Sequence, residues 1–301
     1  MRVAIAGGTG FIGRALTKAL LERNDEVYII SRQSSSGRSE PSGVTRFTWS
    51  ELEAVPALLE GIDAIVNLTG ESINQRWTSA AKQRVMQSRM TAAARIAKLM
   101  QSLKYKPPLV VNASGISAYG ISPDGIFDES SPTKVTDFLS EVVQKWEQAA
   151  DTIPAKRLVK LRVGVVLDKK EGAFPLMAMP YRLFGGGKIG SGKQWLSWIH
   201  LEDMIQLILF ILDNEDISGP VNGSSPDPVT NDAFGRAIGK AMGRPHWFPV
   251  PAALMRVLFG EMSTLLLDGQ RALPRKALEH GFTFKYPTVD AAMNELVGSH
   301  R

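Results

Sequence analysis

Val3-Ala4-Ile5-Ala6-Gly7-Gly8-Thr9-Gly10-Phe11-Ile12-Gly13 is an apolar run that breaks into glycines and then into a helical pattern. This order reads as strand, phosphate-binding turn and helix. Gly7, Gly10 and Gly13 recur at a regular spacing. The first glycine permits a tight turn, the second lets backbone approach a pyrophosphate with no Cβ in between, and the third lets the helix pack closely on the strand. The helix N-terminus then offers unpaired N–H groups and partial positive charge to phosphates.

The flanks support this reading. Phe11, Ile12, Ala15, Leu16, Ala19 and Leu20 recur on one helical face, and Val27-Tyr28-Ile29-Ile30 follows as a second buried strand, completing a β-α-β unit. Where that strand ends, a site for NAD usually carries an acidic residue that accepts hydrogen bonds from the ribose 2′-hydroxyl. This chain has Ser31-Arg32 instead. A hydroxyl and a guanidinium suit a 2′-phosphate, so NADP(H) is expected over NAD(H). Arg38 and Lys18 are alternative cations for the same place.

At 301 residues the chain has room for a large core, and one α/β domain with a smaller appended lobe fits as well as two domains. The expected division is a Rossmann cofactor-binding part over residues 1–170 and a substrate lobe over 171–301 that returns elements to the sheet. The formal charge of +5 suits a phosphate-bearing ligand. Its basic residues are scattered rather than interleaved with stacking aromatics, so nucleic acid is not expected. The chain has no cysteine, which excludes disulfides, thiolate catalysis and cysteine-ligated zinc, and no metal is expected. The longest apolar run, Ile205 to Leu212, is flanked by Asp203 and Asp213 and is too short for a membrane span. The expectation is a cytoplasmic protein with a small-molecule substrate and a homodimer as its candidate assembly.

Farther along, Ser34-Ser35-Ser36-Gly37 is a polar connection, Val44 to Trp49 alternates like a half-buried strand, and Leu52 to Leu59 is a short helix. Asp63 to Leu68 is another strand, ending in Thr69-Gly70-Glu71. Ligands of a doubly wound sheet lie beyond the carboxyl ends of its strands, which puts Gly70 beside the cofactor and Glu71, Arg76 and Trp77 on the rim. Thr78 to Leu103 reads as an amphipathic crossover helix, and Pro108 to Ser114 as a strand delivering Ser114, Ser117 and Tyr119 to the same crevice. Asp137 to Asp151 reads as a helix and Arg157 to Leu167 as one long strand.

Gly185 to Lys193 is glycine-rich, but no apolar strand precedes it, so it reads as a mobile substrate flap rather than a second nucleotide turn. His200 sits in no metal-ligand spacing and reads as a structural histidine. Arg76, Arg89 and Lys188 are candidates for holding an anionic substrate group. Helices over Asn231 to Met242 and Ala252 to Phe259, with a mixed tail, make a smaller C-terminal α/β lobe.

These motifs resemble an extended short-chain dehydrogenase/reductase of the NAD(P)-dependent epimerase/dehydratase type. The resemblance is carried by Gly7-x-x-Gly10-x-x-Gly13, by Ala113-Ser114 with the later Tyr119-Gly120, and by Trp198-Ile199-His200-Leu201-Glu202-Asp203. The chain is most similar to an atypical subgroup, the SDR39U-type epimerase-family proteins. That likeness rests on Asn67-Leu68-Thr69-Gly70-Glu71, Arg76-Trp77-Thr78, Ser88-Arg89, Gln194 to His200 and the C-terminal lobe, and it spans nearly the whole chain. It implies a Rossmann doubly wound parallel sheet. It also implies NADP(H) held by Gly7, Thr9, Gly10, Phe11, Ile12, Gly13, Ser31, Arg32, Leu68, Gly70, Glu71, Arg76 and Arg89.

Where the resemblance would place proton chemistry, the sequence departs from it. Ordinary members use a tyrosine whose pKa is lowered by a lysine four residues on, with a serine at the substrate carbonyl. None of the five tyrosines here has a lysine at that spacing. Aligned on Trp146-Glu147, the tyrosine and lysine positions fall on Leu139 and Val143, and Arg89 stands where an active-site asparagine is usual. Ser114 is the retained serine, with Ser117 as its rival. Ser114 and Tyr119 are therefore the candidate catalytic residues, with Glu71 and His200 as alternatives for the acid or base. Two functions stay open. One is an NADP(H)-dependent oxidoreductase or nucleotide-sugar-type epimerase with a non-standard proton donor, and the other is an NADP(H)-binding sensor or regulatory protein that does not turn over.

Overall fold

Val3-Ala4-Ile5-Ala6 and Ala64-Ile65-Val66 offer water no polar face, and both become central strands with these side chains fully buried. The computed structural model describes residues 1–33 and 42–298. The Ser34 to Gly37 connection and Arg38 lie outside the described residues. In chain order the first half runs β1 (Arg2–Ala6), α1 (Phe11–Glu22), β2 (Glu26–Ser31), β3 (Val44–Thr48), α2 (Trp49–Ala54), β4 (Ala64–Asn67), α3 (Ser79–Ser102), β5 (Leu109–Gly115), β6 (Ile126–Phe127), α4 (Phe138–Ala150) and β7 (Arg157–Val163). The second half adds β8 (Val165–Leu167), α5 (Phe174–Arg182), β9 (Trp195–Leu196), β10 (Trp198–His200), α6 (Leu201–Asp213), β11 (Gly219–Gly223), β12 (Val229–Thr230), α7 (Asn231–Met242), α8 (Ala252–Phe259), α9 (Thr264–Leu267), β13 (Arg271–Ala272), α10 (Arg275–Glu279) and α11 (Val289–Val297).

The main sheet has seven strands in the order β11-β7-β5-β4-β1-β2-β3, and all its pairings are parallel. It is the expected doubly wound α/β sheet. Successive side chains of a strand point to opposite faces, so Val3 and Ile5 join Leu16 and Leu20 of α1 and Met204 and Ile208 of α6. Ala4 and Ala6 join Trp49 and Leu52 of α2 and Ile96 and Met100 of α3 on the other side. The chain runs outward one way through β2 and β3 and the other way from β4, so the order reverses between β1 and β4. Crevices for ligands open at such a switch point. The helix starts follow from capping: Thr78 accepts from the Ala81 N–H and Asp137 from the Ser140 N–H.

The strand expected from Arg157 to Leu167 breaks at Gly164. The first part, β7, stays in the main sheet, while β8 leaves it to pair with β10. A Cβ on Gly164 would lie 2.7 Å from the Ser197 carbonyl oxygen and 3.1 Å from that of Gly223, so only glycine fits where the chain crosses over. Around β8 and β10, residues Phe174, Trp198, Phe234 and Met293 form a separate apolar cluster. That cluster is the core of the smaller lobe, while α6 and β11 return to the main sheet.

The Gly185 to Lys193 segment is stitched down rather than free as a flap. Ile189 bridges Val250, the Val250 N–H donates to the Lys188 carbonyl at 2.8 Å, and the Trp247 N–H donates to that of Gly186 at 2.9 Å. His200 precedes α6, where its Nδ1 accepts from the Glu202 N–H at 3.2 Å and its Nε2 lies 3.0 Å from Glu295. Both ring nitrogens are therefore engaged in structure. Among the described residues, no helix is long and apolar enough to cross a membrane, and no three His, Cys, Asp or Glu gather as a metal site.

Candidate functional site

The glycine turn closes directly on the switch point. Gly7 has φ +84°, and a Cβ there would lie 2.9 Å from the Leu68 carbonyl carbon, so β1 and β4 exit side by side. A Cβ on Gly13 would lie 2.3 Å from the Gly7 carbonyl oxygen, which shows how closely α1 approaches the turn. Gly10 caps α1 without any side-chain hydrogen bond, and the first turn holds no acidic residue. The N–H groups at this helix end therefore have no side-chain acceptor and face the crevice mouth beside exposed Thr9. Thr69, just past β4, carries a buried hydroxyl oxygen with no partner. Arg14 steadies the turn by donating to the Thr9 carbonyl and pairing with Glu171.

At the end of β2 the Ser31 hydroxyl donates to the Gln33 carbonyl. Arg32 beside it is exposed and makes no ion pair among the described residues. Beyond β4, Gly70 allows close approach of Arg89, whose guanidinium carbon would lie 2.9 Å from a Cβ at Gly70. The Arg89 Nη1 donates to the carbonyls of Glu71 and Val85 at 3.1 and 2.9 Å, and the guanidinium stacks over Trp146. Burial pulls its pKa down to about 10 against the opposing charge of Glu71. Glu71 itself lies 3.8 Å from Arg84, and Arg76 is exposed. Trp77, expected on the rim, is instead buried edge-on against Phe138.

Ser114 and Tyr119 belong to one closed polar chain. The Ser114 hydroxyl donates to Glu147 at 2.7 Å, and Glu147 takes a two-pronged contact from Arg162 at 2.8 and 2.9 Å. Arg162 also donates to the Tyr119 hydroxyl at 3.0 Å, which donates in turn to Asn222 at 2.8 Å. The register puts Ser114 opposite Arg162 on neighbouring strands, and α4 supplies Glu147. Burial would push the Glu147 carboxyl up, yet the Arg162 guanidinium holds it below the ordinary value.

Tyr119 is only 1% exposed and burial pushes its hydroxyl pKa up, so its place is in the interior rather than on the crevice wall where it was expected. The rival serine differs: Ser117 is partly exposed and its hydroxyl has no partner among the described residues. Glu147 and Arg162 were not singled out as functional residues from the sequence. The available signal was Lys160 and Arg162 interrupting the apolar Leu158 to Val163 strand, because a cation drawn into the interior calls for an anion there.

Lys188 and Lys193 are exposed at the mouth of a separate depression of about 420 Å³, walled by Asp232, Arg236, His246 and Trp247. His246 and Asp232 of that wall are hydrogen-bonded at 2.9 Å, and buried Tyr181 lies behind His246 at 2.8 Å. This depression lies in the smaller lobe, away from the glycine turn.

Comparison with known proteins fits this architecture. Residues 3–140 match the NAD dependent epimerase/dehydratase family, and residues 250–296 match a domain of unknown function, DUF1731. Epimerase family protein YfhF of Bacillus subtilis (strain 168) is 42% identical over 304 aligned positions, covering 100% of this chain and 99% of its own. The crystal structure of human epimerase family protein SDR39U1 (isoform 2) with NADPH superposes with a TM-score of 0.91 at 38% identity, covering 99% of both chains. A nucleoside-diphosphate sugar epimerase from Corynebacterium glutamicum gives a TM-score of 0.79 at 30% identity, covering 99% of this chain and 58% of that one. With a glycine turn at the switch point, a matching lobe and relatives aligned end to end, the chain belongs to the NAD dependent epimerase/dehydratase family, among its SDR39U-type epimerase family proteins.

Proposed function

We propose that this protein binds NADP(H) across the β1–β4 switch point and uses it in oxidoreductase or epimerase chemistry on a small molecule. The observation that carries the reading is the N-terminus of α1 at the glycine turn, where no side chain caps the helix and no acidic residue stands in the first turn. The residues fit the cofactor: Gly10 leaves room for a pyrophosphate, exposed Arg32 offers two donors to a 2′-phosphate, and Thr69 holds an unpartnered hydroxyl at the turn. When bound, the nicotinamide supplies or accepts the hydride. The human relative solved with NADPH supports the same choice.

Around the reacting centre the chain must orient a substrate oxygen. Ser117 is the hydroxyl free to do so, because the Ser114 proton is engaged by Glu147. In this reading Ser114 and Tyr119 support the ends of β5 and β7 from inside. Arg76 is exposed on the rim and suits an anionic substrate group.

The closed chain from Ser114 to Asn222 also favours a second reading, an NADP(H)-holding sensor in which the usual proton machinery has become structural. One experiment separates the two. NADPH binding is measured by fluorescence, NADPH oxidation is followed over a panel of aldehydes, ketones and phenanthrenequinone, and nucleotide sugars are assayed for epimerised product, whose formation consumes no net cofactor. Binding with turnover supports the oxidoreductase reading, and binding with no turnover anywhere on the panel supports the sensor. Preference for NADH over NADPH removes the argument from Arg32.

A further inference from the structure

The depression in the smaller lobe gathers more positive charge than its wall neutralises. Lys188 and Lys193 stand on either side of Gly190-Ser191-Gly192, both exposed and both without an ion pair among the described residues. Arg236 of α7 adds a third cation, and among the described residues Asp232 is the one carboxylate in the wall. That carboxylate is already shared between Arg236 at 2.8 Å and the His246 Nε2 at 2.9 Å. Those two contacts hold the Asp232 carboxyl below its ordinary value. Two lysine charges are left over.

The backbone keeps these charges together. Gly192 has φ +73°, and a Cβ there would lie 3.1 Å from the Cβ atoms of both Lys188 and Asp232, so the turn is pressed against the start of α7. The Asp232 N–H donates to the Gly192 carbonyl at 2.9 Å, and the Ile189 N–H donates to the Asn231 side chain at 2.9 Å. His246 is held from behind by the Tyr181 hydroxyl at 2.8 Å. Like charges on a pinned turn repel one another, and an anion between them removes that cost.

The remaining wall is aromatic. Trp247 is 69% exposed, although its indole N–H donates to the Phe184 carbonyl at 2.8 Å and its backbone N–H to that of Gly186 at 2.9 Å. A large ring anchored at two points and left open to water offers a preformed surface for another ring. The volume, about 420 Å³, exceeds what a bare phosphate ion fills and lies in the range of small-molecule sites.

We propose that this depression is a second ligand site, separate from the cofactor crevice, which takes a phosphate monoester carried on a flat ring. Lys188 and Lys193 hold the phosphate, and Trp247 covers the ring. A phosphate monoester carries close to two negative charges at neutral pH, which matches the two unpaired lysines. Arg236 stays with Asp232 and closes the rim. None of the lining residues belongs to the glycine turn, to the end of β2 or to the end of β4. The site therefore stands under either reading of the proposed function.

Phenyl phosphate is the probe, titrated into the full chain with and without one equivalent of NADPH and followed by ligand-observed NMR. Glycerol 3-phosphate supplies the phosphate without the ring, and phenol the ring without the phosphate. Phenyl phosphate is expected to bind about fivefold or more tightly than either. The double variant Lys188→Gln with Lys193→Gln should weaken it by about tenfold. Trp247→Ala should bring it down to the level of glycerol 3-phosphate. All three side chains are exposed, so the variants should fold, and their melting temperatures check this. Melting gives a second readout: at matched ionic strength phenyl phosphate should raise the Tm of the wild type and leave that of the lysine variant in place. Equal affinities or equal Tm gains in the two proteins overturn the proposal, as does absence of binding at about 10 mM. Displacement of the probe by NADPH overturns it too, because the probe then sits in the crevice. A protein that binds the probe through these lysines but takes no NADPH fails the cofactor reading and leaves this site standing.

Discussion

At the turn between β1 and α1 the polar groups are backbone N–H donors without a side-chain acceptor, whereas at the ends of β5 and β7 they are side chains that satisfy one another. Both regions lie at carboxyl ends of strands, where a doubly wound sheet places its ligands. The difference separates binding from support: donors left open to the crevice can take a phosphate, while Ser114, Glu147, Arg162, Tyr119 and Asn222 have little left to offer a ligand. Ser114, one of the two candidate serines, has thus been absorbed into the interior.

The largest effect should come from opening the closed region. Glu147→Ala would strand the Arg162 guanidinium in the interior, and losing one partner of a buried pair costs about 3–5 kcal/mol. Urea unfolding checks it, and a loss within the ordinary surface range would break the comparison. The pH dependence has a definite sign. The Glu147 carboxyl lies below its unfolded value near 4.5, so its contribution is complete above that pH and drains as pH falls through the lower folded pKa. The stability gap between wild type and Glu147→Gln should accordingly narrow in acid.

Next comes closing the open region. A Cβ on Gly10 would meet only the Gly7 carbonyl oxygen, at 3.2 Å, so Gly10→Val should fold but fill the pyrophosphate space. NADPH affinity is expected to fall by about 100-fold or more, roughly 2.7 kcal/mol, with near-unchanged thermal stability. Undiminished binding would mean that the turn does not hold the cofactor. Arg32→Ala should weaken NADPH by about tenfold, some 1.4 kcal/mol, and NADH hardly at all; equal losses would show that no 2′-phosphate is read there.

The smallest effect sharpens the distinction between the two serines. Ser114→Ala removes one hydrogen bond of the closed chain and should cost about 1 kcal/mol of stability, without changing NADPH affinity. Ser117→Ala, whose hydroxyl is unpartnered, should leave stability alone and lower turnover on any carbonyl the protein reduces. The reverse pattern would return the catalytic role to Ser114.

Much of this was legible in the chain because it depends on local spacing. The glycine turn, the crossover helix from Thr78 and the helix capped by Asp137 all announce themselves through periodicity, capping residues and glycine positions. The break at Gly164 was not legible. Its cause is the approach of Ser197 and Gly223, both distant in sequence, while Val163 and Val165 on either side read as one continuing strand. The flap failed for the same reason, since Val250 and Trp247 pin glycines that look free in isolation. Trp77 reads as a rim residue until Phe138 arrives from α4, some sixty residues on, to cover it.

The amino-acid order alone determined that a strand, a glycine turn and a helix begin the protein, that an arginine rather than an acid ends the second strand, and that no Tyr-x-x-x-Lys pair exists. Each is a property of neighbours within a few residues, where backbone conformation and side-chain spacing are set directly. Only the tertiary structure decided that Ser114 and Tyr119 turn inward. Whether a polar group is satisfied depends on partners brought from Glu147, Arg162 and Asn222, and chain distance carries no information about that meeting.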